Sequence, residues 1–490
     1  MTVQDIQSDS TPATTEESPP SPRRWWALAV LMIGTTLAIL DSFIVNVAAP
    51  SIHTDLNTTF AQLELIIGAY VLVYGLFLVT GGRFGDIFGY RRIFVAGVLL
   101  FVAASLACSL ATTAEALIVF RVVQALGAAM LYPQVLSGLQ TMFKGREQAI
   151  AFGVFGATIG LASICAQLVG GMLVSLDLFD LGWRTIFLIN IPLGLLAVAG
   201  AMLTLPGGRN AHRPSLDPIG GVILTLALVL LLLPLVLGRE MDWPVWMIAM
   251  LVLSVPAFFA FLGWERAVGR RGGDPLVSMD LFRNGPFSVG TGIAMAFFAC
   301  NSGLFLILTL ALQLGLDFSA AESGLAFTPL AVAFMAASLL ASRITARLGP
   351  RGVLVLGYMA NAVGVLALIL TTAAVGTDLS IAALAPSLIV IGFGQGLGVS
   401  PLMALVLQGV PARDSGAAGG VLETVIQVAW ALGIALLGLI YFTLVGGHDD
   451  AMDPETATTA FNVSLFCNLG LALIAATLVF RLPKSVQTPA

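Results

Sequence analysis

An aspartate, Asp41, stands inside the apolar run "AILDSFIVNVAAP" (residues 38–50), which continues a hydrophobic stretch opening at Trp25. Placing an acid that deep in a hydrocarbon layer costs about 2.5–3.5 kcal/mol on insertion scales, so it needs a task or a partner. A second acid, Glu423, lies in another apolar run, with Gln427 and Trp430 following at i+4 and i+7 on one helical face. A carboxylate beside an aromatic ring suits an organic cation, through charge and cation–π attraction. A polar seam packed against a neighbouring helix is the alternative. Arg121 is the one cation inside an apolar run, and Gln124 lies three residues on, along the same face.

Such groups can carry a proton. Desolvation favours the neutral acid, a nearby cation favours the carboxylate, and movement between dry and wet surroundings loads and releases the proton. For Asp41, proton coupling or binding of a cationic substrate stands against a structural pair that joins two helices. Thr35, Ser42 and Asn46 are its polar neighbours in the same run, and Ser42 and Asn46 share a face. Tyr70, Tyr74 and Phe77 form an aromatic stripe that fits helix packing, with Tyr70 also a candidate substrate contact. The three histidines, His53, His212 and His448, fall in predicted loops, which leaves the carboxylates as proton carriers.

Other chemistries are excluded or unsupported. The two lysines, Lys144 and Lys484, complete no G-x-x-x-x-G-K-[ST] loop, so ATP hydrolysis within the chain is out and an ion gradient is the expected energy source. Cys108, Cys165, Cys300 and Cys467 lie in separate apolar segments without paired spacing, which suits core residues rather than a metal site. No cofactor is expected. Net charge −5 argues against a nucleic-acid partner.

These residues must be held by membrane-spanning helices. The chain has 490 residues, 58% hydrophobic and 10% charged, with a mean hydropathy of +0.98. That is the composition of a multi-pass membrane protein. Apolar windows of about 20 residues begin near Trp25, Leu63, Arg92, Leu117, Ala149 and Thr185, then Leu216 and Val245, then Phe287, Ser323, Val353, Ser380, Ala417 and Phe461. Six, two and six give fourteen spans with both termini on one side. With the N-terminus in the cytoplasm, all but Arg121, Arg184 and Arg239 of the 22 lysines and arginines face the cytoplasm, as the positive-inside rule requires. Trp25, Trp26, Trp183, Trp243, Trp246 and Trp264 stand at predicted span ends, where tryptophan anchors the interface.

The chain repeats itself. "GRFGDIFGYRR" (82–92) and "SRITARLGPRG" (342–352) superpose Arg83 on Arg343, Gly89 on Gly349 and Arg91 on Arg351, each after the second span of a six-span set. The glycines predict a turn with positive φ. Two related halves around a midplane site form the plan of secondary transporters.

Together "LDSFIVNVAAP" (40–50), "GRFGDIFGYRR" (82–92), "RVVQALGAA" (121–129) and "WRTIFLINIPLG" (183–194) resemble the signature segments of the major facilitator superfamily, and most closely its fourteen-span drug:proton antiporter branch. The resemblance runs from about Trp25 to Arg481. It implies an all-α integral membrane protein of the major facilitator fold, two six-helix bundles plus two extra central helices. The expected divisions are a disordered cytoplasmic tail (1–24), a first bundle (25–206), the extra pair with a linker (207–283), a second bundle (284–482) and a short tail (483–490). It further implies that Arg121 adjusts the proton-binding acid. The loop residues Gly82, Arg83, Asp86, Gly89, Arg91 and Arg92 would clamp one conformation and release it on switching, the alternative for Asp86 being a cap on the next helix.

The fifth span, "GATIGLASICAQLVGG" (156–171), shares Gly156, Gly160, Gly170 and Gly171 with the antiporter segment as helix-packing glycines, but holds Ala166 and Gln167 where that segment has a Gly-Pro pair. Ala125 likewise stands where the family usually has glycine. The function implied is proton-driven export of amphipathic, cationic or neutral organic compounds across a bacterial cytoplasmic membrane, by a monomer among membrane lipids. A dedicated exporter of one metabolite, such as a self-made antibiotic, siderophore or lipid, remains open. From a different class, a membrane-embedded enzyme or a sensor is the further alternative.

Overall fold

The computed structural model describes residues 23–176, 180–207, 215, 217–238, 241, 243–318, 320–408, 410–411, 414–445 and 454–482. Residues 1–22 and 483–490 of the expected terminal tails, and Arg209, Arg213, Arg239, Arg413, His212 and His448, lie outside them, while Arg24, expected in the first tail, opens the first helix. The described residues form helices and turns without strands, and thirteen of the helices are long and apolar enough to cross a membrane.

The first half comprises α1 (Arg24–Leu56), α2 (Phe60–Phe88), α3 (Tyr90–Ser109), α4 (Ala114–Met142), α5 (Gly145–Leu176), α6 (Thr185–Leu188) and α7 (Asn190–Thr204). The expected sixth span is one apolar stretch, Gly182–Thr204, in which Ile189 between α6 and α7 keeps helical dihedrals (φ −61°, ψ −26°) and Pro192 has no N–H to offer the Leu188 carbonyl. The extra pair is α8 (Pro218–Leu237) and α9 (Val245–Arg270). The second half comprises α10 (Gly285–Leu310), α11 (Ala320–Ala326), α12 (Thr328–Val375), α13 (Ile381–Leu407), α14 (Ser415–Val445) and α15 (Pro454–Leu478). At 48 residues α12 is about 72 Å long, more than twice the hydrocarbon thickness of ~30 Å. Gly349 divides it, with φ 73° and ψ 167°.

Gly89, the repeat partner of Gly349, has φ 91° and separates α2 from α3. The positive φ expected at both glycines is therefore present at both. The arginines that follow them also correspond: Arg91 donates to the Met202 carbonyl at the end of α7 (2.8 Å), and Arg351 to the Phe480 carbonyl just beyond α15 (3.1 Å). Each places a cation on the negative end of its half's last helix. Arg83 and Arg343 part company, the first buried and the second exposed.

Trp183 stands at the start of the sixth span, at the span end expected for it, and is buried against the end of α1, where its Nε1 donates to Asp55 Oδ2 (3.0 Å). One sequence expectation is corrected. His53 sits in the last turn of α1, not in a loop, because α1 runs on past Pro50 to Leu56.

The halves meet along α2 with α14, α4 with α14, and α5 with α12 and α13. The extra helix α8 packs on α2 and α14, at that seam, while α9 packs on α8.

Candidate functional site

Asp41 is fully buried on α1 and Arg121 on α4 donates to its Oδ2. The other carboxylate oxygen, Oδ1, accepts from Gln124 Nε2 (2.8 Å) and from Asn190 Nδ2 (3.0 Å). Ser105 Oγ on α3 accepts from the same two amides, at 2.7 and 3.2 Å. Gln124 is fixed in orientation, since its Oε1 accepts from Arg121 Nη1 at 2.8 Å. The helical spacing of Arg121 and Gln124 brings both onto the acid, as residues three apart share a face.

Arg121 does not depend on Asp41 alone. Its Nε donates to the Ile66 carbonyl (3.1 Å), its guanidinium lies 4.3 Å from the Tyr70 ring centroid, and the Phe187 ring is 5.9 Å away. A cation so provided can lose the charge on its partner and keep favourable contacts. Breaking a buried pair is otherwise strongly unfavourable.

The corresponding place in the second half is neutral. Gln395 Nε2 on α13 donates to Asn301 Oδ1 on α10 (2.8 Å), and Asn468 Nδ2 on α15 donates to the Cys300 carbonyl (2.6 Å). The halves repeat a polar knot between matching helices, and the first half's knot carries the acid and the cation.

Glu423 on α14 is buried, with Gln427 Nε2 donating to its Oε1 at 3.3 Å. Trp430 lies 6.4 Å from Phe43 of α1 and 6.3 Å from Phe305 of α10, ring centre to ring centre. Between the two acids runs a row of buried tyrosines: Tyr70 stacks on Tyr74 (6.1 Å), and Tyr74 meets Tyr132 edge-on (6.0 Å). Tyr74 and Tyr132 lie on the Glu423 side of this row. Asn46 is exposed and stands apart from the Asp41 knot.

Asp86 does not cap the next helix. Its two carboxylate oxygens accept from the backbone N–H groups of Gly416 and Ala417, 2.8 Å each, in the first turn of α14 across the seam. A carboxylate at a helix N-terminus satisfies orphan donors and meets the positive end of the helix dipole. Nearby, Arg83 lies 4.0 Å from Asp414, and Gln140 Nε2 donates to the carbonyls of Leu407 (2.7 Å) and Val410 (3.0 Å). These hydrogen bonds between the halves start from Gly75 and Asp86 of α2 and from Gln140 of α4, and tie the halves together at the end that carries the loop 82–92. Gly82 and Gly416 allow it: a Cβ on Gly82 would lie 2.0 Å from the Gly416 carbonyl oxygen. Arg92 is exposed and takes no part.

Gly156 and Gly160 of α5 face the second half, where a Cβ would stand 2.1 Å from Ser400 Oγ and 2.7 Å from Phe334 respectively. Gly170 and Gly171 face Ile44 and Val47 of α1. The helix passes unbroken through Ala166 and Gln167.

Asn190, Ser105 and Tyr132 were not singled out by residue type and spacing. Asn190 does lie within the "WRTIFLINIPLG" segment, while an uncharged Ser105 or Tyr132 in an apolar run gives no signal of its own. A further buried acid, Glu265 near the end of α9, accepts from Val277 N–H (3.0 Å) and lies beside Asp217, whose Oδ2 accepts from Trp264 Nε1 (2.8 Å).

Asp86→Asn removes a charge from the α14 N-terminus, where such interactions contribute about 0.3–2 kcal/mol. The closed end should lose population by roughly 2- to 30-fold. Spin labels on cysteines replacing the exposed Arg92 and Arg347 would report it as a growing long-distance population; an unchanged distribution would deny Asp86 a clamping role.

Residues 31–434 match the Major Facilitator Superfamily. The chain is 37% identical over 442 residues to a probable actinorhodin transporter of Streptomyces coelicolor, covering 90% of this chain and 76% of that protein. It is 33% identical to the puromycin resistance protein pur8 of Streptomyces alboniger (95% and 92% covered), and 31% identical to the tetracenomycin C resistance and export protein of Streptomyces glaucescens (86% and 77%). In fold it is similar to the human organic anion transporter MFSD10 (TETRAN), with a TM-score of 0.65 at 15% identity, over 94% of this chain and 100% of that one. With thirteen apolar helices among the described residues and a match across most of the chain, this protein belongs to the major facilitator superfamily.

Proposed function

We propose that the protein exports amphipathic organic compounds, antibiotics among them, in exchange for protons, by alternating access and not as an enzyme. The observation that carries the proton half is Asp41: a fully buried acid whose cationic partner has the Ile66 carbonyl, Gln124 and the Tyr70 ring in reserve. Support for the export half comes from relatives named for antibiotic transport, resistance and export. Counting α12 as two crossings, the chain has fourteen, in bundles 25–206 and 284–482 with the extra pair in 207–283 between them. Both termini then lie in the cytoplasm of a bacterial cell, and the contacts at loop 82–92 close the cytoplasmic end.

In that state Asp41 is the carboxylate, its oxygens held by Arg121, Gln124 and Asn190. A proton arriving from the open side neutralises it and frees Arg121 to settle on its remaining partners. Loosening of the knot among α1, α3, α4 and α7 then favours release of the Asp86 clamp and opening to the cytoplasm. There the proton leaves and substrate enters against Glu423, Gln427 and Trp430. One charge moving through 100 mV supplies about 2.3 kcal/mol, enough for roughly a 40-fold concentration ratio.

The test uses purified protein in liposomes with a pH-sensitive dye inside, an imposed proton gradient, and ethidium as substrate. Substrate-dependent proton flux is the expected result. Flux absent with ethidium and with neutral compounds, yet present with one antibiotic, would replace the broad reading by a dedicated exporter. Glu423→Gln should weaken ethidium at least about tenfold, the value of one partly buried charge–cation contact of ~1.4 kcal/mol or more, and leave a neutral substrate within about twofold; equal losses for both would remove Glu423 from cation recognition.

A further inference from the structure

Asn190 is the residue on which the proton-loaded state of Asp41 turns. The unloaded state is fully provided for: three side-chain donors occupy the two oxygens of the carboxylate. Loading poses a different demand, because a buried acid carries an O–H that needs an acceptor. On Oδ2 the new hydrogen would face the Arg121 guanidinium, a cation with no acceptor to give. On Oδ1 it meets two amide N–H groups, from Gln124 and Asn190, and one of these must turn its oxygen inward.

The two amides differ in their freedom to do so. Gln124 is held at both ends, with Oε1 accepting from Arg121 and Nε2 donating to Ser105. Turning it would aim its NH2 group at the guanidinium. Asn190 is buried, its Nδ2 donates to Asp41 and Ser105, and its Oδ1 meets no hydrogen-bond donor. Rotating that amide forfeits one bond to Ser105, which Gln124 still makes, and brings Oδ1 to the acid. Asn190 is the first residue of α7, one residue past the end of α6, with Ile189 between them in helical conformation (φ −61°, ψ −26°).

We infer that Asn190 is a positioning residue that donates to the Asp41 carboxylate when the proton is absent and, by turning its amide over, accepts the Asp41 O–H when the proton is bound. The proton comes from water on the open side and stays on Asp41 Oδ1; no proton is placed on Asn190. Facing Asp41 are Arg121 and Gln124 from α4, Tyr70 from α2, Cys108 from α3 and Asn190 from α7; Ser105 of α3 holds the two amides, Phe187 of α6 lies by Arg121, and α5 brings Gly170 against Ile44 of the same helix.

The sign of one pH shift separates this from a plain donor role. Asn190→Leu takes one of three donors from the carboxylate but the freer of the two amide acceptors from the acid. An unsatisfied buried donor costs more than the loss of one bond among several. Proton binding should therefore move to more acid pH, requiring about tenfold more protons. A residue that only donated to the carboxylate would give the opposite, an alkaline shift.

The inference rests on Asp41 being the proton site, and the experiment keeps the two apart. The protonated-carboxyl infrared band of the purified full-length protein is titrated in wild type, Asp41→Asn and Asn190→Leu. Loss of a band in Asp41→Asn identifies the Asp41 proton; if no band is lost, it is the Asp41 assignment that fails. With the band identified, an acid shift in Asn190→Leu upholds the role of Asn190, and an alkaline shift or none overturns it. Asn190→Val makes the same comparison should leucine prevent folding, and Asn190→Ser, which keeps a donor and an acceptor in one hydroxyl, should stay within about threefold of wild type.

Discussion

Asp41→Asn should bring substrate-driven proton flux in liposomes down by at least about 100-fold, to the level of vesicles without protein. The size follows from the pair it removes. Taking one partner from a buried ion pair costs about 3–5 kcal/mol, and each 1.36 kcal/mol placed in the rate-limiting step is tenfold. The amide has the outline of the carboxylate and no titrating proton, and Arg121 keeps the Ile66 carbonyl, Gln124 and Tyr70, so the variant should still fold. Thermal unfolding of the purified protein checks that point. Substrate should still exchange down its own gradient, which a counterflow assay without a proton gradient would detect. Undiminished proton flux in a folded variant would make the Asp41–Arg121 pair structural and move the coupling role to Glu423.

Gly82→Val should have the second largest effect, through shape rather than charge. Any Cβ at this position lies 2.0 Å from the Gly416 carbonyl oxygen, and a Cβ on Gly416 lies 2.2 Å from the Gly82 carbonyl oxygen. Both obstacles are backbone, so no side-chain rotation relieves them, and α2 and α14 must part by more than an ångström. Overpacking of ordinary side chains already costs about 1–3 kcal/mol, so the closed end should fall roughly 10- to 100-fold or more in population. In a cysteine-free background carrying Leu136→Cys, a buried position where α4 meets Gly419 of α14, a membrane-impermeant maleimide should label the variant and spare the parent. Gly221→Ala, where a Cβ meets nothing within 4 Å, is the control expected to behave as wild type. Equal labelling of Gly82→Val and the control would mean that this close approach does not hold the end shut.

These two predictions concern different parts of one cycle. Asp41 lies within the first half, and its helix α1 reaches the seam through Phe43, whose ring lies 6.4 Å from Trp430 of α14. Gly82 and Asp86 lie on the seam itself, where α2 abuts the first turn of α14. The extra helix α8 packs on the same two helices. It thus lies against the interface between the halves, with α9 packed on its outer side.

By itself the sequence determined the class of the protein and much of its plan. Long apolar runs separated by basic loops can be satisfied only by helices crossing a membrane, because unpaired backbone groups are intolerable in hydrocarbon. The helix starts at Arg24, Phe60, Ala114, Val245 and Ile381 accordingly fall within a few residues of those expected. Gly89 and Gly349 were legible because a positive φ leaves few alternatives to glycine. Asp41, Arg121 and Glu423 were conspicuous because charge in an apolar run is costly.

What only the tertiary structure decided is partnership across helices. Asn190 and Ser105 are unremarkable polar residues in their own segments, and they matter because α3 and α7 bring them onto the carboxylate held by α1. Asp86 could have capped α3, the adjacent helix, by every local rule; packing of α2 against α14 gives it the N-terminus of a helix 330 residues away instead. Tyr70 and Tyr74 read as a packing stripe until Tyr132 of α4 extended them toward Glu423. Local sequence fixes which face of a helix is polar through the 3.6-residue period, but which neighbour that face meets depends on contacts between segments far apart in the chain, and no periodicity encodes those.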